Sequence, residues 1–201
     1  MVIGEDLVKV GVLALQGDFR EHCQMLRSLG ADCVEVRLPR DLDAVDGLII
    51  PGGESTTIGK LLVAFDLMEP LRARIAGGFP VYGSCAGAIV LAKDVEGRGT
   101  DQPVIAAMNV RIRRNAFGRQ VDSFEADVPI FGLGDQPFHT VFIRAPIIES
   151  VGPGVSVLAR LDDGSIVAAR EGPLLITSFH PELTDDTRFH AYFLDLVARS
   201  R

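Results

Sequence analysis

The chain has 201 residues, 47% of them hydrophobic and 23% charged, with a formal net charge of −7. That length closes one domain around a sizeable core, and the acidic balance excludes nucleic acid as the main partner, because no basic stripe is present to displace phosphate counterions. The apolar runs are too short to span a bilayer, and residues 1–9 carry Glu5 and Asp6 but no basic run, so neither a membrane partner nor a signal peptide is predicted.

Three widely spaced cysteines, Cys23, Cys33 and Cys85, predict reduced thiols in a cytoplasmic protein. No Cys or His spacing predicts a metal site.

Taken in chain order, 8–15 is a continuous apolar run, as in a strand buried on both faces. Asp18 then predicts a helix N-cap, with Glu21 three residues on as in a capping box. Phe19, His22, Cys23, Leu26 and Leu29 fall on one face of that helix. Val34, Val36 and Leu38 alternate as a strand, with Cys33 out of phase. Residues 47–50 form a further strand ending in Pro51-Gly52-Gly53, followed by helices over about 55–67 and 69–76. A fourth strand over 79–83 leads into Gly83-Ser84-Cys85-Ala86-Gly87 and a helical run to Ala92.

From Val104 onward the pattern changes to strands with polar turns, over 104–112, 121–128, 140–143, 155–161, 166–169 and 174–179. Asp162-Asp163-Gly164 predicts a hairpin turn. A last helix over 185–199 turns Phe189, Phe193, Leu196 and Val197 inward. The expected class is α/β: an open, mostly parallel sheet with helices on both faces, additional antiparallel strands in the second half, and one domain over 1–201. Ligands of such sheets bind beyond the carboxyl ends of the strands.

Cys85 is the leading candidate for chemistry. Only a thiolate attacks well, and a helix N-terminus and a nearby imidazole both favour that form. A sharp strand-to-helix turn lifts the side chain into the crevice, and Gly83 and Gly87 suit such a turn. Far downstream stands His180-Pro181-Glu182. Pro181 makes His180 extended, so His180 and Glu182 point to the same side. Nucleophile, base and orienting carboxylate are then all present. Gly52-Gly53 before Glu54-Ser55-Thr56-Thr57 offers free backbone N–H groups at a helix start, for a phosphate or for an oxyanion. With a nucleophile at the next strand end, Gly53 and Ala86 become the oxyanion donors. Arg111, Arg113, Arg114 and Arg119 form a basic cluster, either a solvated strand or a site for a carboxylate or a partner protein. Taken singly, each of these features also suits an ordinary buried cysteine, strand-end turn or helix cap. His22 reads as a helix-packing residue, and His139 and His190 have no partner nearby in sequence.

The joint pattern of G-x-C-x-G and a distant H-P-E resembles the class I, triad-type glutamine amidotransferases. The segments at 11–22, 51–57, 83–89, 114–126, 142–146 and 178–186 are similar to the family of glutaminase subunits of pyridoxal 5′-phosphate synthases, with RNAFGRQVDSFEA and FIRAP the most specific. The resemblance implies Cys85 as nucleophile, His180 as base and Glu182 as its orienting acid. It also implies L-glutamine contacts from Gly53, Glu54, Ser55, Arg114, Ile143 and Arg144. A guanidinium pairs naturally with the α-carboxylate and Glu54 with the α-ammonium. No metal or organic cofactor is implied.

The implied partner is a synthase subunit in a large hetero-oligomer. It receives the ammonia by a protected path and builds pyridoxal 5′-phosphate from ribose 5-phosphate and glyceraldehyde 3-phosphate. The resemblance further implies that the subunit alone is poorly active until the synthase docks and orders the oxyanion loop. Gln16-Gly17, the Gly52-Gly53 loop and parts of 111–123 are the expected interface. Two other readings stay open at this point: a glutaminase serving another biosynthetic acceptor, and a non-catalytic, redox-sensing module of the same architecture. A hydrolase with its acid before its histidine fits less well, since the acid here follows it.

Overall fold

The structure, a computed structural model, describes residues 8–99, 101–114 and 123–201. The first half alternates strand and helix as the apolar runs predict. Strands β1 (Lys9–Leu13), β2 (Asp32–Val36), β3 (Gly47–Ile50) and β4 (Val81–Ser84) are separated by α1 (Phe19–Ser28), a short α2 (Pro39–Leu42), α3 (Ser55–Ala64) and α4 (Met68–Ala76). Helix α5 (Ala86–Leu91) follows β4 directly and runs into β5 (Ala92–Glu96). The second half holds β6 (Met108–Arg113), β7 (Ser123–Val128), β8 (Phe138–Ile143), β9 (Ile147–Val151), β10 (Val155–Arg160), β11 (Ile166–Glu171) and β12 (Leu174–Thr177). A 3-10 turn (Pro181–Leu183) and α6 (Arg188–Arg199) close the chain.

The main sheet runs β2-β1-β3-β4-β12-β11-β9-β6-β5, with β10 pairing β11 and with β7-β8 forming a separate ribbon. Strands β2, β1, β3, β4 and β12 are parallel to one another. Beyond β12 the pairings turn antiparallel through β11, β9 and β6, and β5 returns parallel to β6. One cluster of apolar side chains lies between the sheet and α3, α4 and α5, including Ile58, Leu62 and Leu71. The opposite cluster gathers Cys23 and Leu26 of α1, Phe189 and Phe193 of α6, and Phe138 and Phe142 of β8. Burial on both faces explains why β3, β4 and β12 read as unbroken apolar runs.

Several expectations are corrected. Strands β5 and β9 and helix α2 were not predicted; each is short, and β5 continues an apolar run that reads as helix. The predicted strand over 121–128 is seen from Ser123, positions 121–122 lying outside the described residues. Asp18 stands at the N-cap of α1 but makes no capping hydrogen bond, because its carboxylate turns toward His180 instead. Cys23 on α1 and Cys33 on β2 are joined by a disulfide, with Cα atoms 5.6 Å apart, so only Cys85 is a free thiol. Helix α1 packs on β2, and this brings Cys33, on the face opposite Val34, to Cys23. No helix among the described residues is long and apolar enough to cross a membrane.

Candidate active site

Strand order assembles the site. β3, β4 and β12 are neighbours and parallel, so their carboxyl ends point the same way. The Gly52-Gly53 loop leaves the first, Cys85 follows the second and His180 follows the third. Two segments far apart in the chain therefore end side by side.

Cys85 occupies the elbow with φ 47° and ψ −101°, a conformation that is costly for a residue with a side chain. The surrounding packing enforces it. A Cβ added at Gly87 would collide with the Ile50 carbonyl, and one at Gly83 with the Gly87 backbone, so the two glycines allow β4, β3 and α5 to meet. The Cys85 N–H is anchored to the Thr177 carbonyl at 2.8 Å. The sulfur is nearly buried and lies 3.9 Å from the Ile143 carbonyl.

His180 is 4% exposed. Its backbone N–H donates to the Val141 carbonyl at 2.9 Å, which ties the strand end to β8. Its Nδ1 lies 2.7 Å from Glu182 Oε1 and 3.6 Å from Asp18 Oδ2. Burial pushes the imidazole down, yet hydrogen bonds to Cys85 and Glu182 more than offset this and raise it to about 10. Burial raises the Glu182 carboxyl, opposed by its hydrogen bond to His180. The imidazole thus lies in contact with both the sulfur and the carboxyl.

The family model of the SNO glutamine amidotransferases matches residues 12–199. The chain belongs to that family. It is 60% identical over 185 residues to "Pyridoxal 5'-phosphate synthase subunit PdxT" of Roseiflexus sp. (strain RS-1), covering 92% of this chain and 98% of that protein. It is 62% identical over 188 residues to the protein of the same name from Herpetosiphon aurantiacus, covering 93% and 99%. Among solved structures it resembles "Crystal structure of glutamine amidotransferase", with a TM-score of 0.89 and 50% identity over 94% of this chain and 98% of that one. A putative GMP synthase subunit from Thermoplasma acidophilum, 20% identical with a TM-score of 0.70, shares the fold.

In this amidotransferase the remaining predicted residues form the rim of a cavity of about 480 Å³ that opens above Cys85. Gly53, Glu54, Ser55, Ala86, Arg114, Ile143, Arg144 and His180 all line it. Glu54 caps α3, accepting from the Thr56 and Thr57 N–H groups at 2.9 and 2.6 Å. Burial opposes its ionisation, but the hydrogen bonds from Thr57 and Thr56 together outweigh it and hold the carboxyl down at about 2. Arg114 reaches Glu54 at 3.5 Å and donates to Gln102 Oε1 at 2.8 Å. Gln102, buried, donates in turn to Ser55 Oγ at 3.1 Å. Arg144 stands exposed beside Ile143, with φ 43°.

Sequence reasoning missed Gln16, Asp18 and Gln102. Gln16 Oε1 accepts the Glu54 N–H at 2.8 Å, and the Asp18 N–H donates to the Gly52 carbonyl at 3.3 Å, so the 16–18 turn clamps the glycine loop. The sequence placed Gln16 at the expected interface and Asp18 at a helix N-cap, but gave neither a place in the cavity. Gln102 carried no signal, since a lone amide after a Gly-rich stretch reads as loop. The basic cluster resolves into two kinds of residue. Arg111 pairs with Asp94, Glu96 and Glu149, and Arg113 pairs with Glu149, so both are neutralised by their own sheet. Only Arg114 turns into the cavity; Arg119 and the rest of 115–122 lie outside the described residues.

Proposed function

We propose that this chain is the glutaminase subunit of a pyridoxal 5′-phosphate synthase, acting as one domain over 1–201 and hydrolysing L-glutamine to L-glutamate and ammonia. The observation that carries the reading is one cavity lined by Cys85 and His180, with Glu182 bonded to His180 behind the lining and the Glu54–Arg114 pair at the rim. Relatives near 60% identity over almost their whole length bear the name of that synthase's subunit.

Arg114 binds the α-carboxylate of glutamine, and Glu54, ionised through the working pH range, accepts from its α-ammonium. The side-chain amide then lies against Cys85. The thiolate adds to the amide carbonyl carbon, and negative charge develops on its oxygen. Two donors fit that oxygen. The Gly52 carbonyl faces the 16–18 turn, so the trans peptide turns the Gly53 N–H away from it. The Ala86 N–H, at the first position of α5, has no acceptor within its own helix. The His180 imidazolium gives its proton to the departing ammonia, leaving a glutamyl thioester. As a neutral base His180 then takes a proton from water, the hydroxide adds to the thioester, and glutamate leaves with the thiolate restored. Glu182 holds the ring through Nδ1 throughout. These residues supply every proton transfer, and the mechanism uses no cofactor or metal.

Ammonia released into water becomes ammonium, which is not nucleophilic. The ammonia therefore passes directly to the synthase subunit, in a cytoplasmic hetero-oligomer. The test is glutamate release with and without the synthase subunit, comparing wild type with Cys85→Ala. The expected result is release stimulated by the synthase and abolished by the substitution. Release unaffected by the loss of the thiol would overturn the reading.

A further inference from the structure

Behind Glu182, outside the cavity lining, lies a polar cluster that the reaction above does not use. His22 of α1 and His190 of α6 are both fully buried. His22 Nε2 stands 3.3 Å from Glu182 Oε2 and 3.1 Å from Ser84 Oγ. His22 Nδ1 stands 2.9 Å from His190 Nε2. The carboxylate therefore lies between two imidazoles, with Oε1 facing His180 and Oε2 facing His22. The second contact is not an aligned hydrogen bond, and among the described residues Oε2 has no other donor.

A neutral imidazole has one donor and one acceptor nitrogen, and the neighbours decide which is which. With the proton on Nδ1, His22 would set a lone pair beside a buried carboxylate oxygen 3.3 Å away, which is repulsive. With the proton on Nε2, that N–H meets Ser84 Oγ at 3.1 Å, with Oε2 3.3 Å away and out of line, and Nδ1 accepts from the His190 Nε2–H. The His190 Nδ1 lone pair is then left without a partner, as it is among the described residues. An orphaned acceptor is tolerated more readily than an orphaned N–H.

Both rings are neutral. Burial, then the charges of His190 and His180, holds His22 well below its usual 6.5, and burial pushes His190 down to about 4. The other titratable groups facing the cluster are Tyr82 of β4, Cys85, His180, Glu182 and, beyond His180, Asp18. Tyr82 stays un-ionised, because burial and then the Glu182 charge raise its phenol well above 10.

We propose that His22, locked as the Nε2–H tautomer by His190, is a positioning residue for the triad: it holds a neutral N–H dipole, bonded to Ser84 Oγ, 3.3 Å from the second oxygen of the buried Glu182 carboxylate, so that the shared proton stays on His180. A neutral donor does this without placing a second cation beside the imidazolium. The proposal rests on the glutaminase reading and extends it by two residues.

The direct test is nitrogen-15 NMR of the imidazoles in the wild-type chain. The expected spectrum has His22 neutral with its proton on Nε2, and a His22 that is cationic or protonated on Nδ1 overturns the proposal. The kinetic test uses the complex with the synthase subunit. His22→Asn places its amide where Nδ1 was and removes the N–H beside Glu182, whereas His22→Gln places an N–H near the old Nε2. The first variant is expected to lose about tenfold or more in kcat, with little change in KM, and to move the acid limb of the pH profile up by about one unit, because Glu182 then takes a proton more easily. The second is expected to keep the wild-type limb. Equal behaviour of the two variants, or an unmoved limb in both, refutes the positioning role. If His22→Asn does not fold, His190→Phe, which releases the tautomer lock, is expected to shift the limb in the same direction by a smaller amount. Loss of the glutaminase reading itself would show as glutamate release that survives Cys85→Ala. A wrong tautomer alone would leave that reading intact.

Discussion

The floor and the rim of the cavity are built on opposite principles. At the floor, Cys85, His180 and Glu182 are buried and already bound to one another, on an elbow and strand ends that packing holds rigid. At the rim, Glu54 and Arg114 are partly exposed and occupied by protein partners: Glu54 caps α3, and Arg114 holds Gln102 and Glu54. The floor is preorganised before substrate arrives, which is where catalysis gains most. On the proposed reading the rim exchanges its internal partners for the substrate's charges, so each contact contributes the difference between two hydrogen-bonded states. Losses at the floor should therefore appear in kcat and losses at the rim in KM.

The largest effect is expected at the sulfur. Cys85→Ala should lower synthase-stimulated glutamate release by about three orders of magnitude or more. Glu182→Gln comes next. It keeps the volume but cannot stabilise the imidazolium, so kcat should fall by about 10²–10⁴ while glutamine binding, measured calorimetrically on the complex, stays near wild type. If KM moved instead, the division between floor and rim would be wrong. At the rim, Arg114→Met should raise KM for glutamine about ten- to hundredfold, the cost of a charge-assisted hydrogen bond, with a much smaller change in kcat.

Stability against pH sharpens the same contrast. The folded-state value of His190 lies near 4, below its unfolded value near 6.5. The unfolded chain therefore binds the extra proton first, and stability is full above pH 6.5 and declines toward pH 4. His180 has the opposite sign. Raised to about 10, it contributes fully below pH 6.5, and that contribution is lost as the pH climbs through 10. Denaturant midpoints should decline on both sides, His190→Phe flattening the acid side and His180→Gln the alkaline side. The smallest effect belongs to Arg111→Glu. Its ion pairs with Asp94, Glu96 and Glu149 are on the exposed sheet edge, so stability should fall slightly and more at low salt, with KM for glutamine unchanged.

Much of this was legible in one dimension. Periodicity and capping placed β1, β3, β4 and α3, and Gly-Ser-Cys-Ala-Gly after an apolar run announced the elbow. His180-Pro181-Glu182 announced its base and acid because Pro181 limits the backbone between them. The antiparallel half was read less well: β5 and β9 are short, amphipathic and settled by neighbours rather than by their own pattern.

The residues that the proposed chemistry uses, and the kind of sheet that carries them, were therefore written in the local sequence, since those signals depend on neighbours a few positions apart. Strand order was not. It is the adjacency of β3, β4 and β12 that joins sulfur to imidazole, and it is the packing of α1 and α6 on one face of the sheet that joins Cys23 to Cys33's strand and brings His22 and His190 together behind Glu182. Those meetings depend on which surfaces bury each other, a property of the folded whole that no local pattern of residues carries.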